Sequence, residues 1–90
     1  MNKDGQKYYV YLVRCADGTL YCGWTTDPRA RTAAHNSGKG AKYTRSRRPV
    51  ELVYTEAYPE KHGALSREWQ IKQMSREKKW ALIYGREPST

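Results

Sequence analysis

The sequence predicts a small α+β domain with the element order β-β-α-β-α-α. Three observations carry that expectation. Residues 8–15 (YYVYLVRC) and 20–24 (LYCGW) are β-branched and aromatic-rich runs separated by turn residues. An Asp-Pro step at residues 27–28 opens a helical stretch. After one further strand, helical spacing and a Ser cap organise the rest of the chain. Ninety residues make one domain, enough to bury somewhat more than about 60% of the unfolded surface.

The first two runs form a hairpin across Ala16-Asp17-Gly18-Thr19, and two loops fit. A two-residue Asp-Gly loop pairs Cys15 with Leu20 and sets Tyr11 and Tyr21 on opposite faces. A three-residue loop with Gly18 left-handed, forming a bulge, pairs Cys15 with Thr19. Tyr11 then lies opposite Gly23, diagonal to Tyr21, both rings share a face, and the two cysteines point to opposite faces. Asp27 caps a helix that runs to about Asn36 and stops at Ser37-Gly38, with Arg31 and His35 on one face. A third strand is expected over residues 50–55, Val50, Leu52 and Tyr54 alternating with Glu51, Val53 and Thr55. A helix follows from near Pro59 to about Met74, and Ser75 caps a short one over residues 76–83. The domain spans residues 7–83, with frayed ends at 1–6 and 84–90.

Composition narrows the function classes. No apolar run approaches the roughly 18–20 residues of a membrane span, and MNKDGQKYYV has no signal-peptide apolar region. The expected location is the cytoplasm. Cys15 and Cys22 are too few for a disulfide framework, and with His35 and His62 they lack zinc-finger spacing, so both are expected as buried free thiols. The net charge of +8 is local. Between Pro28 and Val50 stand Arg29, Arg31, Lys39, Lys42, Arg45, Arg47 and Arg48 with no acidic residue, while ten basic and nine acidic residues nearly cancel elsewhere. Gly, Ser, Thr and Tyr interleave with these charges, as in segments that contact phosphates. The stretch lacks the apolar face of a membrane-surface helix. A nucleic acid is the expected partner.

The helix after the third strand holds an anomaly. Ala64, Leu65, Trp69 and Ile71 read as its apolar stripe, and Glu68 falls inside it. A carboxylate on a buried face is costly unless it is paired or binds a metal. An ion pair with a nearby Arg, Arg31 for instance, is the plain alternative. Trp69 and Trp80 are expected in the core, as is Trp24, which could otherwise stack a base.

In order, Tyr9-Val10-Tyr11, Tyr21-Cys22-Gly23, Arg31, His35 and Glu68 resemble the motifs of the GIY-YIG nuclease superfamily. Arg31 follows Tyr21 by ten residues and His35 follows four later, the family's spacing. The segment Ala64-Leu65-Ser66-Arg67-Glu68-Trp69-Gln70-Ile71-Lys72 looks like the family's metal-binding helix. The run from His35 to Arg45 (HNSGKGAKYTR) looks like the small stand-alone bacterial branch, whose members are mostly hypothetical proteins. Each motif alone is weak, but five in order cover residues 7–83. Three departures stand out: Tyr9 replaces the first Gly, Cys22 the Ile, and the Asn near the end of many members has no counterpart after Trp80. The resemblance implies a three-stranded antiparallel sheet flanked by helices. It also implies the bulged three-residue loop, because the family places both tyrosines at one site.

That family's chemistry is metal-dependent hydrolysis of phosphodiester bonds in DNA. On this chain the resemblance assigns Glu68 to one divalent cation, Mg²⁺ or Mn²⁺, a hard ion that keeps several waters when one carboxylate binds it. Arg31 would clamp the scissile phosphate, matching it in a two-pronged geometry. Tyr11 would be the general base, which requires a phenol pKa well below about 10, a shift that a nearby cation could supply. Tyr21 would position water or phosphate, His35 would assist proton transfer, and Tyr43 occupies a region where other members use His or Tyr. Gly23 would let the backbone approach closely. Lys39, Lys42, Arg45, Arg47, Arg48 and Lys72 would track the phosphate backbone without reading sequence. A chain with no second domain for duplex reading is expected to prefer single-stranded, flapped or otherwise distorted DNA, in repair or recombination. It is expected to act as a monomer. Two alternatives stand beside the nuclease: a non-catalytic module that binds DNA or RNA, and an accessory subunit of a repair complex.

Overall fold

The computed structural model describes residues 5–85, so the expected frayed ends fall for the most part outside it. Strands β1 (Tyr8–Arg14) and β2 (Leu20–Thr25) form the hairpin, and its loop is the three-residue form. Gly18 has φ +85°, the Cys15 N–H donates to Thr19 O at 2.8 Å, and the Gly18 N–H donates to Cys15 O at 2.9 Å. A left-handed residue at that point suits Gly because no Cβ crowds the backbone. Asp17 Oδ1 accepts from the Thr19 amide and hydroxyl, which fixes the turn. Tyr11 pairs with Gly23 and Val13 with Tyr21. Cys15 and Cys22 are consequently on opposite faces, both buried and free.

β3 (Glu51–Tyr58) completes a sheet of order β2-β1-β3, antiparallel throughout. The strand starts one residue later and ends three residues later than its sequence pattern promised. In the added stretch Glu56 is held by Arg67 Nε at 2.9 Å and Nη2 at 3.1 Å, and by the hydroxyls of Tyr54 and Tyr58. The expected alternation also fails. Leu12 pairs with Tyr54 and Val13 with Leu52, so Val53 is an extra residue in a bulge. Val50 and Leu52 therefore serve one face of the sheet, Val53 and Tyr54 the other.

α1 (Pro28–Asn36) is capped as expected by Asp27, which accepts from the Ala30 N–H, and it ends at Ser37 before Gly38 at φ +85°. Asn36 then pins the helix end to the sheet, donating to Val50 O and accepting from Val50 N–H. Between the stop at Gly38 and the third strand the sequence pattern marks no element, yet the chain makes one further helical turn, α2 (Lys42–Arg45). α3 (Lys61–Lys72) is two residues shorter at each end than expected, and α4 (Arg76–Ile83) starts at its Ser75 cap.

The core lies on both faces of β1, whose Val10, Tyr11, Leu12 and Val13 are all buried. Val10 and Leu12 pack with Cys22, Ala64, Ile71 and Leu82 beneath α3 and α4. Tyr11, Val13, Cys15 and Val50 form the other cluster. The expected stripe of α3 is corrected here. Ala64 and Ile71 are buried, but Leu65 is 38% and Trp69 66% exposed. Five residues separate Ala64 from Trp69, about 140° around the helix axis, so the two cannot share a face. Trp80 is only half-buried, stacked on exposed Tyr84, whereas Trp24 packs against the core. Among the described residues no helix is long and apolar enough to cross a membrane.

Candidate active site

Tyr11 points from the central strand toward α1, and its hydroxyl lies 2.8 Å from His35 Nε2. Gly23, directly across the ladder, leaves room for the phenol. A Cβ there would lie 2.5 Å from the Tyr11 hydroxyl. The other ring nitrogen, His35 Nδ1, is 2.7 Å from Thr44 Oγ1 on α2. His35 and Thr44 are fully buried. Gly40 closes over the ring, because a Cβ at that position would collide with Nδ1 and the His35 backbone. Thr44 and Gly40 were not among the expected site residues. In the sequence they look like ordinary loop residues, and only the turn of α2 brings them onto His35.

The shortest contacts of the network favour one tautomer. Thr44 has one hydroxyl proton, and Ala41 O takes it at 2.9 Å. Oγ1 is then the acceptor for Nδ1–H, which leaves the Nε2 lone pair facing the Tyr11 hydroxyl. The Ala41 N–H also points at Nδ1, from 3.4 Å, a longer contact that the opposite tautomer would satisfy. Among the described residues no buried side-chain polar atom lacks a partner.

Electrostatics favour neutral rings. Burial lowers the His35 pKa, and the neighbouring Arg31 charge lowers it further. Burial likewise raises the Tyr11 phenol above its ordinary value, against the hydrogen bond and charge of Arg31, which pull it down. In the protein alone, desolvation outweighs the one guanidinium beside the phenol. Arg31 thus stands on α1 beside the phenol.

Tyr21 joins the same cluster. Its ring meets His35 edge-on at 5.4 Å and stacks on Tyr43 at 5.9 Å. Arg47 covers the other side of Tyr43, 3.9 Å from the ring centroid. Tyr21 and Tyr43 also line a cavity of about 240 Å³ with Leu20, Cys22, Lys72 and Lys79. Lys79 is a further cation that sequence pattern did not single out, since it sits on an ordinary-looking charged helix.

Glu68 does lie on the inner flank of α3, with its side chain 17% exposed, but Arg31 is not its ion-pair partner. Lys72 is, at 3.3 Å. Lys72 Nζ is also 5.9 Å from the Tyr21 ring centroid, so this lysine connects the carboxylate to the tyrosine cluster. The structure therefore groups Tyr11, Tyr21, Arg31, His35 and Tyr43 directly, and Glu68 through Lys72. Lys72 holds Glu68 while its side chain stays 48% exposed. Among the described residues no three His, Cys, Asp or Glu side chains converge. A single half-buried carboxylate suits Mg²⁺ or Mn²⁺, whose remaining positions water fills.

The basic residues divide into two kinds. Lys39, Lys42 and Arg45 are exposed. Arg47 and Arg48 instead hold the loop together. Arg47 pairs with Asp17 at 3.1 Å and donates to Tyr43 O, and Arg48 donates to Arg45 O and Asn36 O. The Cys22 thiol, pushed up to about 11 by burial and then by the Glu68 charge, stays protonated.

A three-stranded antiparallel sheet that sets two strand tyrosines against an Arg and a His of the next helix, with a Glu on the following long helix, defines the GIY-YIG architecture. Residues 7–81 match the family model for the GIY-YIG catalytic domain, and the chain belongs to that family. A UPF0213 protein of Staphylococcus haemolyticus is 54% identical over 80 residues, covering 89% of this chain and 98% of the relative. One from Lacticaseibacillus paracasei is 54% identical over 76 residues, covering 84% and 85%. Two solution NMR structures are similar. The UPF0213 protein from Bacillus halodurans has a TM-score of 0.58 at 47% identity, covering 90% of this chain and 86% of that one. A protein from E. faecalis has a TM-score of 0.60 at 38% identity, covering 99% and 95%.

Proposed function

We propose that this protein is a metal-dependent endonuclease that hydrolyses phosphodiester bonds in DNA, acting on single-stranded or branched substrates in repair or recombination. The observation that carries the reading is the buried Tyr11–His35–Thr44 chain beside Arg31. A phenol fixed on a neutral imidazole whose free lone pair faces it is arranged for proton transfer. Packing alone does not require that.

In the proposed reaction, Tyr11 takes a proton from the attacking water and passes its own to His35 Nε2. The water oxygen forms the new bond to phosphorus, and the ester oxygen leaves with the electron pair and is protonated by solvent. His35 becomes an imidazolium, stabilised by the oriented Thr44 oxygen at Nδ1. Arg31 neutralises the phosphoryl oxygens. A divalent cation held at Glu68 would supply Lewis-acid charge at the phosphate. Lys72, paired with Glu68 at 3.3 Å, would have to release the carboxylate for Glu68 to hold that cation. Lys79 and Lys72 place positive charge at the cavity beside Tyr21, where a strand would enter.

The test is cleavage of labelled single-stranded, duplex and flapped DNA with Mg²⁺ or Mn²⁺, wild type against Glu68→Ala, with EDTA and single-stranded RNA lanes. Metal-dependent cutting of the single-stranded or flapped DNA that disappears in Glu68→Ala while binding persists is the expected result. Binding without cutting on every substrate would make the protein a recognition module instead.

A further inference from the structure

Trp69 is the most exposed large apolar residue on the described surface, and it sits on the helix that carries Glu68. At about 100° per residue, positions on α3 can be placed relative to Glu68. Ala64 and Ile71 fall about 40° and 60° to one side, into the core. Lys61, Lys72, Leu65 and Trp69 fall about 20°, 40°, 60° and 100° to the other side. That outer flank leads directly away from the carboxylate. It is bounded by two lysines about 16 Å apart along the axis. Lys72 stands between Glu68 and the Tyr21 ring, and Lys61 Nζ sits 5.0 Å over the Trp24 ring. Glu68 is the one acidic residue of α3.

We propose that this flank is a binding surface for an unpaired nucleic-acid strand, with Trp69 stacking a base and Lys61 and Lys72 contacting its phosphates. The inference rests on the nuclease reading and deepens it by naming how single strands are preferred. An exposed indole between lysines offers both components of a single-strand platform, a π-face and backbone neutralisation. Paired bases hide their faces in the duplex stack, so the indole gains nothing from an intact helix. A second copy of this chain fits the flank less well. Two chains of net charge +8 repel, and Trp69 with Leu65 make a small patch against the roughly 800 Å² per partner of a stable interface.

The experiment measures fluorescence anisotropy of a short labelled oligothymidylate, and of a duplex of equal length, in EDTA so that no strand is cut. Trp69→Ala is expected to weaken single-strand binding by about 5- to 150-fold, the range for loss of one base–aromatic stack. Duplex binding and Tm should be unchanged, and Trp69→Phe should recover most of the loss. Tyr84→Ala, removing another exposed aromatic, should bind as wild type. Unchanged single-strand binding in Trp69→Ala overturns the proposal, as does an equal loss for both probes. A wild-type dimer that Trp69→Ala splits into monomers overturns it in favour of self-association. If the protein never cuts DNA yet shows the Trp69-dependent preference, the surface stands and the catalytic reading fails.

Discussion

Adjacent residues of β1 belong to two different kinds of interior. Val10 and Leu12 face α3 and α4, in a cluster whose buried members are aliphatic side chains and one thiol. Tyr11 faces α1 and ends on a fully buried histidine and threonine. The first face is held by burial, which tolerates small shifts of position. The second is held by hydrogen bonds with single donors and acceptors, where a half-satisfied network is worse than none. One strand thus supplies stability on its even positions and chemistry at Tyr11, and the sheet's period of two separates them.

The largest contrast should come from neighbouring substitutions on that strand. Leu12→Ala is expected to cost about 2–5 kcal/mol in chemical denaturation, while the fraction that remains folded keeps its activity. Tyr11→Phe should cost only about 1–3 kcal/mol, for the partner left at His35 Nε2. On the proposed reaction it should lower cleavage by about 10²- to 10⁴-fold. Equal losses of activity per folded molecule in the two variants would erase the distinction between the faces.

The polar face also depends on two absent Cβ atoms. Gly23→Ala and Gly40→Ala push a methyl group into the Tyr11 phenol and the His35 ring. Each is expected to destabilise by about 1–3 kcal/mol, the usual cost of overpacking. Both should alter the His35 ring signals in NMR spectra before the rest of the fold responds. An unshifted His35 spectrum in Gly40→Ala would show that the segment over the ring does not clamp it.

Thr44 offers a finer division. Thr44→Val removes the acceptor for Nδ1–H with little change in shape and should cost about 1–3 kcal/mol. Thr44→Ser should restore both stability and the ring tautomer. The ¹⁵N shifts of His35 read this directly: wild type and Ser should carry the proton on Nδ1, and Val should not. Nε2–H in the wild type would reverse the proposed direction of proton transfer from Tyr11.

Local chemistry explains which of these features were legible in the sequence. The hairpin, Asp27 and Ser75 caps, and the stop at Gly38 depend on residues within a few positions of one another. Their outcomes agree with expectation. The loop length was not decidable from local chemistry and was settled by resemblance to a family with both tyrosines at one site. The end of β3 was not legible, since Glu56 is held there by Arg67, eleven residues away on another element. Trp69 misled through its type: a large aromatic suggests core, but its angle on α3 turns it outward. Thr44 and Gly40 carried no signal of their own, since their meaning comes from a tertiary contact with His35. The alignment of Tyr11, Tyr21, Arg31 and His35 was legible as a spaced motif, whereas the tautomer needed coordinates.

Acid should separate the two faces by pH. His35 has a folded pKa below its ordinary value of about 6.5 because it is buried and faces Arg31. Between those two values the unfolded chain binds a proton that the folded chain does not, so stability falls as pH drops below about 6.5. Glu56, on the α3 face, behaves differently. Burial alone would raise its pKa, but hydrogen bonds from Arg67, Tyr54 and Tyr58 outweigh that and lower it. Its contribution is complete above the ordinary carboxylate value of about 4.3 and is lost as pH falls through the lower folded one. Denaturant midpoints measured from pH 8 to pH 3 should therefore decline in two stages. His35→Gln should flatten the upper stage and Glu56→Gln the lower. If His35→Gln leaves the decline below pH 6.5 unchanged, the imidazole is not held neutral by this site, and the polarity assigned to the Tyr11–His35–Thr44 chain is wrong.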